Sequence, residues 1–208
     1  MQALNFAGKE SFLESEYLGE LARYCKEVLG VPSITVATNG SLVKRHWLEE
    51  YGEFIDVLLV SCNSFTDNPS NTAERLEQLC EICKEHGVRL TVQTAVDGVN
   101  CREDMNLPIQ RIKPYQWICY PAQVSDGVET TTARAGITAE RLTVTDEQFV
   151  RFCARHEHNA CFEMHRNRPE GEVVLDEDMC SQTRNPNKSI PSILEVGVAQ
   201  AIADLPRI

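Results

Sequence analysis

Segments typical of strands and helices alternate along the first 124 residues, and this alternation is the feature that most constrains the fold. The clearest strand is the continuous apolar run Ile55–Ser61, which is typical of a parallel strand covered on both faces. A helical pattern over Asn71–His86 follows and stops at Gly87, and Val88–Val96 is the next strand. Five such units in series predict an α/β fold with a parallel sheet and right-handed crossovers.

Weaker versions of the same pattern extend the alternation in both directions. The other predicted strands are Gln2–Ala7, Ser33–Thr38 and Tyr115–Val124, and the other predicted helices are Glu14–Leu29, Leu42–Glu50 and Glu103–Ile112. The first of these helices has its apolar positions at Tyr17, Leu18, Leu21, Cys25, Val28 and Leu29.

The periodicity weakens beyond residue 124. There we predict a loop over Ser125–Leu142, a helix opened by a capping box at Thr145 and Gln148, an irregular polar segment over Asn159–Glu172, a strand over Val173–Leu175 and a helix over Ile193–Ile202. Because no linker interrupts the chain, we predict one domain over residues 1–208. Residues 1–124 form its βα repeats, and residues 125–208 form an extension that packs on them.

The charge of the chain limits its partners. The formal net charge is −11, which repels a polyanion unless a local basic patch overcomes the overall field. Nucleic acid is therefore excluded as an expected partner, whereas a single nucleotide in a pocket remains possible. No apolar run approaches the roughly 20 residues that a membrane-spanning helix needs, so we expect no transmembrane segment and a cytoplasmic location.

The cysteines and histidines are predicted to have structural roles. Nine cysteines, an odd number spread through apolar segments, fit a reducing compartment. Cys80 and Cys83 have a metal-like spacing, but they lie inside an amphipathic helical pattern and are predicted to pack as ordinary helix residues. His156 and His158 flank a helix end, where positive charge suits the helix dipole. We expect no metal ligand among them.

Polar residues follow three of the predicted strands, at the edge where parallel sheets bind ligands. Asn5–Leu13 is a strand that runs into a glycine turn with one carboxylate, Glu10. The segments that close the next two strands are Thr38-Asn39-Gly40-Ser41 and Ser61-Cys62-Asn63-Ser64-Phe65. Short hydroxyl and amide side chains at such strand ends can bind the oxygens of a ribose.

From about Leu4 to about Ile202, the order of these motifs resembles the viperin-like radical S-adenosylmethionine (SAM) family of nucleotide dehydratases. The resemblance implies a partial (β/α) barrel of the radical SAM type that lacks its first βα unit, with SAM and a [4Fe-4S] cluster as cofactors. It also implies a set of SAM-binding residues at the strand ends. These are Gly8 and Glu10 in the turn that holds the SAM amino group, together with Thr38, Asn39, Ser41, Ser61 and Ser64.

Several positions depart from the pattern of this family. Lys9 and Ser11 stand where the family has glycine and proline, and the cluster-binding cysteine triplet belongs upstream of Met1, so no cluster is expected on this chain alone. The positions that grip a nucleoside triphosphate in the family are here Thr91, Gln93, Gln116 and Ile118. Two basic residues near the carboxyl terminus, Arg184 and Lys188, either contact substrate phosphate or are solvated surface charges.

Two functions from different classes follow. The first is that of a SAM-dependent nucleotide 3′-dehydratase in antiviral nucleotide synthesis, for which we expect no activity from the chain as it stands. The second is that of a non-catalytic interaction or ligand-binding module. In both, a preceding segment or a protein partner should cover the edge strand Gln2–Ala7. A longer amino terminus would allow a peripheral location at the endoplasmic reticulum or lipid droplets.

Overall fold

The computed structural model describes residues 3–8, 10–66, 69–122, 143–165 and residue 195. The chain divides into two compact units, Met1–Arg166 and Asn167–Ile208, and all the elements described below belong to the first. The predictions that lie outside the described residues are the loop Ser125–Leu142, the strand Val173–Leu175, the helix Ile193–Ile202 apart from the helical residue 195, and the basic residues Arg184 and Lys188.

Six parallel strands form one sheet, and their order in the sheet is their order in the chain. They are β1 (Leu4–Phe6), β2 (Ile34–Thr38), β3 (Val57–Ser61), β4 (Arg89–Val96), β5 (Gln116–Pro121) and β6 (Phe162–Met164). The predicted parallel α/β fold is therefore confirmed. In the described sheet β1 has a neighbour on one side only, as predicted for an edge strand.

Helices connect most of these strands, within a few residues of the predicted bounds. They are α1 (Ser15–Glu27), α2 (Arg45–Tyr51), α3 (Pro69–Glu85), α4 (Asn106–Ile112) and α5 (Asp146–His156), with 3-10 turns at Ser11–Glu14 and Gly52–Phe54. The predicted capping box opens α5, since the Thr145 hydroxyl accepts from Gln148 N and the Gln148 side chain accepts from Thr145 N. No helix in the described ranges is both long and apolar enough to cross a membrane.

The two faces of the sheet differ in burial. One face is covered by the helices and carries the core residues Ile34, Val36, Leu58, Val60, Leu90, Val92, Trp117 and Cys119. Trp117 is wholly buried and meets the rings of Phe152, His156 and Phe162 edge-on. The alternate residues of the strands form the other face, which we call the open face. Many of its side chains are partly exposed, among them Thr35, Ala37, Leu59, Ser61, Gln93, Gln116, Ile118 and Glu163.

The segment predicted to be irregular over Asn159–Glu172 contains a strand, β6, so this prediction is wrong for residues 162–164. Trp117 N donates to Cys161 O at 2.7 Å, and His165 N donates to Cys119 O at 2.8 Å. These hydrogen bonds pair the short strand β6 with β5. Three residues are too few to show a period in sequence, and pairing with β5 creates the strand.

The apolar positions of α1 do not all face the core. Leu18, Ala22 and Cys25 are buried, whereas Tyr17 is 69% exposed and Val28 is 64% exposed. The helix thus has one packed face and one exposed apolar stripe, a distinction that apolar spacing alone does not make. We call this exposed set, which is Leu13, Tyr17, Tyr24 and Val28, the α1 stripe.

His156 is buried and neutral in this fold, and the predicted positive charge at its helix end is wrong. Its Nε2 accepts a hydrogen bond from Met105 N at 3.0 Å, and its Nδ1 lies 2.8 Å from Phe152 O. Burial lowers the pKa of the imidazole below its usual value. The ring therefore anchors the start of α4 on α5 as a core residue.

Candidate functional site

A carboxylate joins the carboxyl ends of the first two strands. Glu10 Oε1 accepts a hydrogen bond from Thr38 Oγ1 at 2.7 Å and one from Phe12 N at 3.1 Å. Its second oxygen, Oε2, accepts from Asn39 N at 3.1 Å. The contact with Phe12 N also caps the 3-10 turn that leads into α1. Glu10 therefore has both the capping role and the strand-end position that the sequence suggested.

Hydrogen bonds within the turn after β2 hold Thr38 and Asn39 where they contact Glu10. Thr38 Oγ1 accepts from Gly40 N at 3.0 Å, and Asn39 Oδ1 accepts from Ser41 N at 2.8 Å. Gly40 has φ of +75°, and an added Cβ would lie 3.0 Å from Arg75 Nη1, so only glycine fits without strain. Arg75 in turn donates to Asn39 O at 3.1 Å. Sequence analysis did not single out Arg75, which reaches the turn from α3.

The Glu10 carboxylate keeps capacity for one more donor. Oε1 has two protein partners and Oε2 has one, so one acceptor position on Oε2 remains for a ligand. Within the described part of the chain, no lysine or arginine forms an ion pair with it. Gly8 lies two residues away, and a Cβ built there meets nothing within 4 Å. An ammonium or hydroxyl group can donate to the remaining acceptor position.

A second carboxylate, Glu103, holds the loop that follows β3. Its Oε1 accepts from Phe65 N at 2.7 Å and from Thr66 N at 3.1 Å, and its Oε2 accepts from Ser64 Oγ at 2.8 Å. Ser64, a predicted SAM-binding residue, is thus engaged within the protein. Ser61, predicted with it, is exposed on the open face. The sequence showed Glu103 only as an acidic residue at the predicted start of a helix.

Residues around Cys62 fix the end of β3 against β4. Thr94 Oγ1 donates to Cys62 O at 2.7 Å, and Ala95 N donates to Asn63 Oδ1 at 3.0 Å. The side chain of Asn100 donates to Asn63 O at 2.7 Å. Burial raises the pKa of the Cys62 thiol to about 12, so this thiol is neither a nucleophile nor a ready metal ligand.

The open face places a third polar group beside these strand ends. Across the sheet, Ser61 pairs with Gln93, Gln93 with Ile118, and Ile118 with Glu163. The Glu163 carboxylate accepts from the Gln116 side chain through Oε2, and its Oε1 lies 2.6 Å from His165 Nε2. Contact with His165 holds the pKa of the Glu163 carboxyl below its usual range. Sequence analysis missed Glu163 because its strand was not predicted.

The cysteines of the described ranges do not fit an iron–sulfur cluster. Eight of the nine cysteines lie in those ranges, where no set of three or more Cys, His, Asp or Glu side chains could hold a metal ion. Cys80 and Cys83 are buried on α3, as predicted for ordinary packing. Burial raises the pKa of Cys83 to about 12. A cluster needs thiolates gathered at one point, and the described ranges hold no such group.

Comparison with known proteins gives relatives in sequence and in fold. No family model matches the sequence. The S-adenosylmethionine-dependent nucleotide dehydratase RSAD2 of Siniperca chuatsi is 31% identical over 222 residues, which cover 98% of this chain and 62% of that protein. RSAD2 of Danio rerio is 32% identical over 97% of the chain and 60% of its own length. A dehydratase of the same description from Flammeovirga pacifica is 23% identical over 98% of the chain.

Solved structures match the fold at lower identity. The crystal structure of Streptococcus suis SuiB bound to S-adenosylmethionine has a TM-score of 0.54 and is 13% identical over 80% of this chain and 40% of SuiB. The structure of SuiB bound to the precursor peptide SuiA has a TM-score of 0.53 at 15% identity, over 80% of the chain and 38% of SuiB. At these identities the likeness concerns the fold alone.

The parallel sheet, with its polar residues gathered at one strand-end edge, is a partial (β/α) barrel of the radical SAM type. In sequence, the chain is a homologue of the viperin-like SAM-dependent nucleotide dehydratases over nearly its whole length. It spans about three-fifths of the length of the RSAD2 relatives, 62% of the Siniperca chuatsi protein.

Proposed function

We propose that this chain is a viperin-like SAM-binding protein in which Glu10 receives the amino group of SAM. The observation that carries the proposal is the Glu10 carboxylate, which is bound by Thr38 and Asn39 and still has one acceptor position on Oε2. An ammonium group at that position forms a charge-assisted hydrogen bond, which is stronger than a neutral one. There is open space beside Gly8, where a built Cβ meets nothing within 4 Å.

The neighbouring turn supports the same ligand. In this proposal Asn39 and Ser41 lie beside the ribose and methionine parts of SAM, with Thr38 holding Glu10 in position. SAM has a net positive charge, so the net charge of −11 on the chain attracts it. Ser61, another polar residue at this edge, is also exposed on the open face.

We propose that residues 1–208 alone do not carry out nucleotide dehydration. A [4Fe-4S] cluster supplies the electron for the chemistry of the family, and the nine cysteines of this chain include no closely spaced triplet to bind it. Anaerobic reconstitution should therefore leave no stable cluster on the chain. Stoichiometric iron and sulfide with a spectrum that changes on addition of SAM would contradict this.

By family resemblance the substrate is a nucleotide, yet the open face does not suit a triphosphate. Gln116 and Ile118 are neutral, and Thr91 is buried with 2% exposure. Neutral side chains do not supply the charge-assisted bonds that offset the desolvation of a triphosphate. Arg184 and Lys188 are proposed phosphate contacts outside the described residues.

Calorimetric titration with SAM tests the Glu10 assignment. The chain should bind SAM, and Glu10→Gln should weaken binding by about tenfold or more, because the amide keeps the shape of the side chain but removes its charge. Glu16→Gln is the matched control, since Glu16 is exposed on α1. Equal SAM affinity in the wild type and Glu10→Gln, or no SAM binding by the wild type, would contradict the proposal.

A second candidate, a non-catalytic interaction module, is favoured by the surface at the edge of the sheet. The β1 edge has unpaired backbone groups in the described sheet, and the α1 stripe exposes four large apolar side chains on α1 and at its two ends. Such a surface calls for cover by a βα unit, from a preceding segment or from a partner protein. The free cysteines favour a reducing compartment such as the cytosol for either function.

The coding sequence upstream of Met1 separates the two candidates. An in-frame segment that encodes Cys-x3-Cys-x2-Cys and leads into Gln2 through about 50 residues would supply both cluster ligands and a cover for β1. That result favours the enzyme. Unrelated or stop-interrupted sequence in its place favours the interaction module.

A further inference from the structure

The α1 stripe lies on the flank of α1 that is turned toward the open side of β1. The opposite flank packs against α2, since a Cβ built at Gly19 would lie 2.5 Å from the ring of Tyr51. At about 100° per residue, Tyr17 and Tyr24 lie roughly 150° around the helix from Gly19. Because α2 follows β2, the flank turned away from α2 is the one on the β1 side of the molecule.

The backbone of β1 is available for pairing on the same side. Leu4 N donates to Ser33 O at 2.9 Å, so Leu4 uses its backbone toward β2. Successive residues of a strand direct their backbone groups to opposite sides, so the N–H and C=O of Asn5 point to the open edge. In the described sheet β2 is the one neighbour of β1. An open strand edge and an exposed apolar stripe therefore lie next to each other.

The spacing of the stripe suits a second copy of the same chain. Its four members are separated by four, seven and four positions, a spacing that is the same in either chain direction. When two such helices pack antiparallel about a two-fold axis, Tyr17 of one copy meets Tyr24 of the other, and Leu13 meets Val28. Each of these contacts joins exposed apolar side chains.

The spacing of strands and helices allows both contacts in one dimer. Adjacent strands lie about 4.8 Å apart, and a helix that connects two adjacent parallel strands packs over the pair, about half of that spacing inside β1. Antiparallel pairing of β1 with its copy therefore places the two α1 axes roughly 10 Å apart. Packed helices lie about 8–10 Å apart. One two-fold axis, perpendicular to the sheet at β1, thus brings the two edges and the two stripes together.

The area of this surface is enough for a weak dimer. The four members of the stripe are 51–70% exposed, and side chains of their size at these fractions present roughly 500 Å² per copy, or about 1,000 Å² for the pair. An interface of about this area is at the lower limit for specific recognition and is typical of transient association. Each copy has a net charge of −11, so the two copies repel, and added salt should strengthen the association.

We propose that this chain associates with a second copy of itself, with the β1 strands paired antiparallel and the α1 stripes in contact. In this dimer each copy supplies a β strand and a helix that cover the exposed edge of the other, and the sheet continues across the two-fold axis. The inference goes beyond SAM binding at Glu10. It rests on the second candidate function, that of an interaction module, and names its partner.

Analytical ultracentrifugation of residues 1–208 tests the dimer. At about 50 µM the chain of 23.4 kDa should sediment at twice that mass, and it should dissociate on dilution. Tyr17→Lys and Tyr24→Glu should each weaken dimerisation by at least about tenfold, because each places a charge against an apolar ring. A mixture of the two variants should associate at least about fivefold more tightly than either alone. In the mixed dimer the new lysine meets the new glutamate, and the remaining two tyrosines meet each other.

Tyr115→Lys is the matched control, since it makes the same substitution at a tyrosine that is 59% exposed away from the stripe. This variant should dimerise as the wild type does. Urea denaturation should show that all the variants remain folded, because the replaced side chains are exposed. A wild type that is monomeric at about 100 µM, dimers unaffected by Tyr17→Lys, or a mixture no tighter than its components would overturn the inference. A monomer would leave the surface to a preceding segment or to a different protein.

The outcomes separate this inference from the functions proposed above. A monomer that binds SAM through Glu10 contradicts the dimer alone. A dimer that shows no Glu10-dependent SAM binding contradicts the SAM assignment alone. An in-frame upstream segment with the cysteine triplet counts against the interaction module, whatever mass residues 1–208 have in solution.

Discussion

Glu10 and Thr38 are joined by a 2.7 Å hydrogen bond that connects the turn after β1 to the end of β2. The Thr38 hydroxyl donates to the carboxylate and accepts from Gly40 N, so it is satisfied in both directions. Thr38 is 5% exposed. The carboxylate that we assign to SAM is therefore positioned by a buried hydroxyl on the neighbouring strand. The same hydrogen bond also holds the turn after β1 against the end of β2.

Thr38→Val should destabilise the protein by about 1–3 kcal/mol. Valine nearly keeps the side-chain volume, but Gly40 N loses its acceptor and the Glu10 carboxylate loses a hydrogen-bond donor. Thr35→Val on the same strand is the control. Thr35 is partly exposed on the open face, so the expected change there is within about 0.5 kcal/mol. Urea denaturation of the two variants measures the difference. Equal losses would show that the Glu10–Thr38 bond contributes nothing specific.

Glu103→Ala should release the loop after β3. It removes the acceptor of Phe65 N, Thr66 N and Ser64 Oγ, and the expected loss of stability is about 2 kcal/mol. Amide hydrogen exchange at Phe65 and Thr66 should accelerate more than exchange in the core of β3. Glu81→Ala, at an exposed position on α3, is the control. Unchanged protection at Phe65 in Glu103→Ala would contradict the role given to Glu103.

Acid should weaken the fold through His156. Burial lowers the pKa of this imidazole in the folded state, so below the unfolded value of about 6.5 the unfolded chain binds a proton that the folded chain resists. The contribution is present above that pH and is lost as the pH falls toward the folded pKa. One such group contributes a slope of at most about 1.4 kcal/mol per pH unit.

His156→Gln provides the comparison for this effect, since its amide does not titrate. The variant should be less stable than the wild type at neutral pH, and its free energy of unfolding should fall less steeply between pH values of about 7 and 5. Denaturation curves over that interval measure both slopes. Parallel slopes for the two proteins would mean that His156 does not contribute to the acid sensitivity.

Triphosphate binding by a variant with added cations should tighten when Glu163 is also neutralised. Gln116→Arg with Ile118→Lys adds two cations to the open face, but position 118 pairs with Glu163 across the sheet, so the carboxylate attracts the new lysine. Adding Glu163→Gln should tighten CTP binding by about tenfold beyond that double variant, with strong salt dependence. Calorimetry measures the difference. No gain from the third substitution would contradict the electrostatic role of Glu163.

The fold could be predicted from sequence because its strands and helices are long enough to show their periods. Ile55–Ser61 and Asn71–His86 correspond closely to β3 and α3. The meeting of Glu10 with Thr38 and Asn39 was also predictable, since the ends of adjacent parallel strands lie at one edge. In these cases local pattern and tertiary structure agree.

The features that were missed depend on tertiary contacts. The strand of Glu163 has three residues and exists because it pairs with β5. Glu103 looked like an ordinary acidic residue at a helix start, and its loop partners are 37 to 39 positions away in the chain. His156 ends a helix in sequence, yet its ring is buried by Trp117 and Phe152. Pairing and burial over such distances leave no local signal.

Amide chemical-shift mapping with SAM tests the central claim most directly, because it reports both binding and its position. On titration with SAM, the largest shifts should occur at Phe12, Asn39 and Gly40, whose amides surround Glu10 and Thr38, and they should be lost in Glu10→Gln. Shifts centred elsewhere, for example on the 270 Å³ cavity lined by Ile109, Lys113 and Cys161, would contradict the claim, as would shifts that persist in Glu10→Gln.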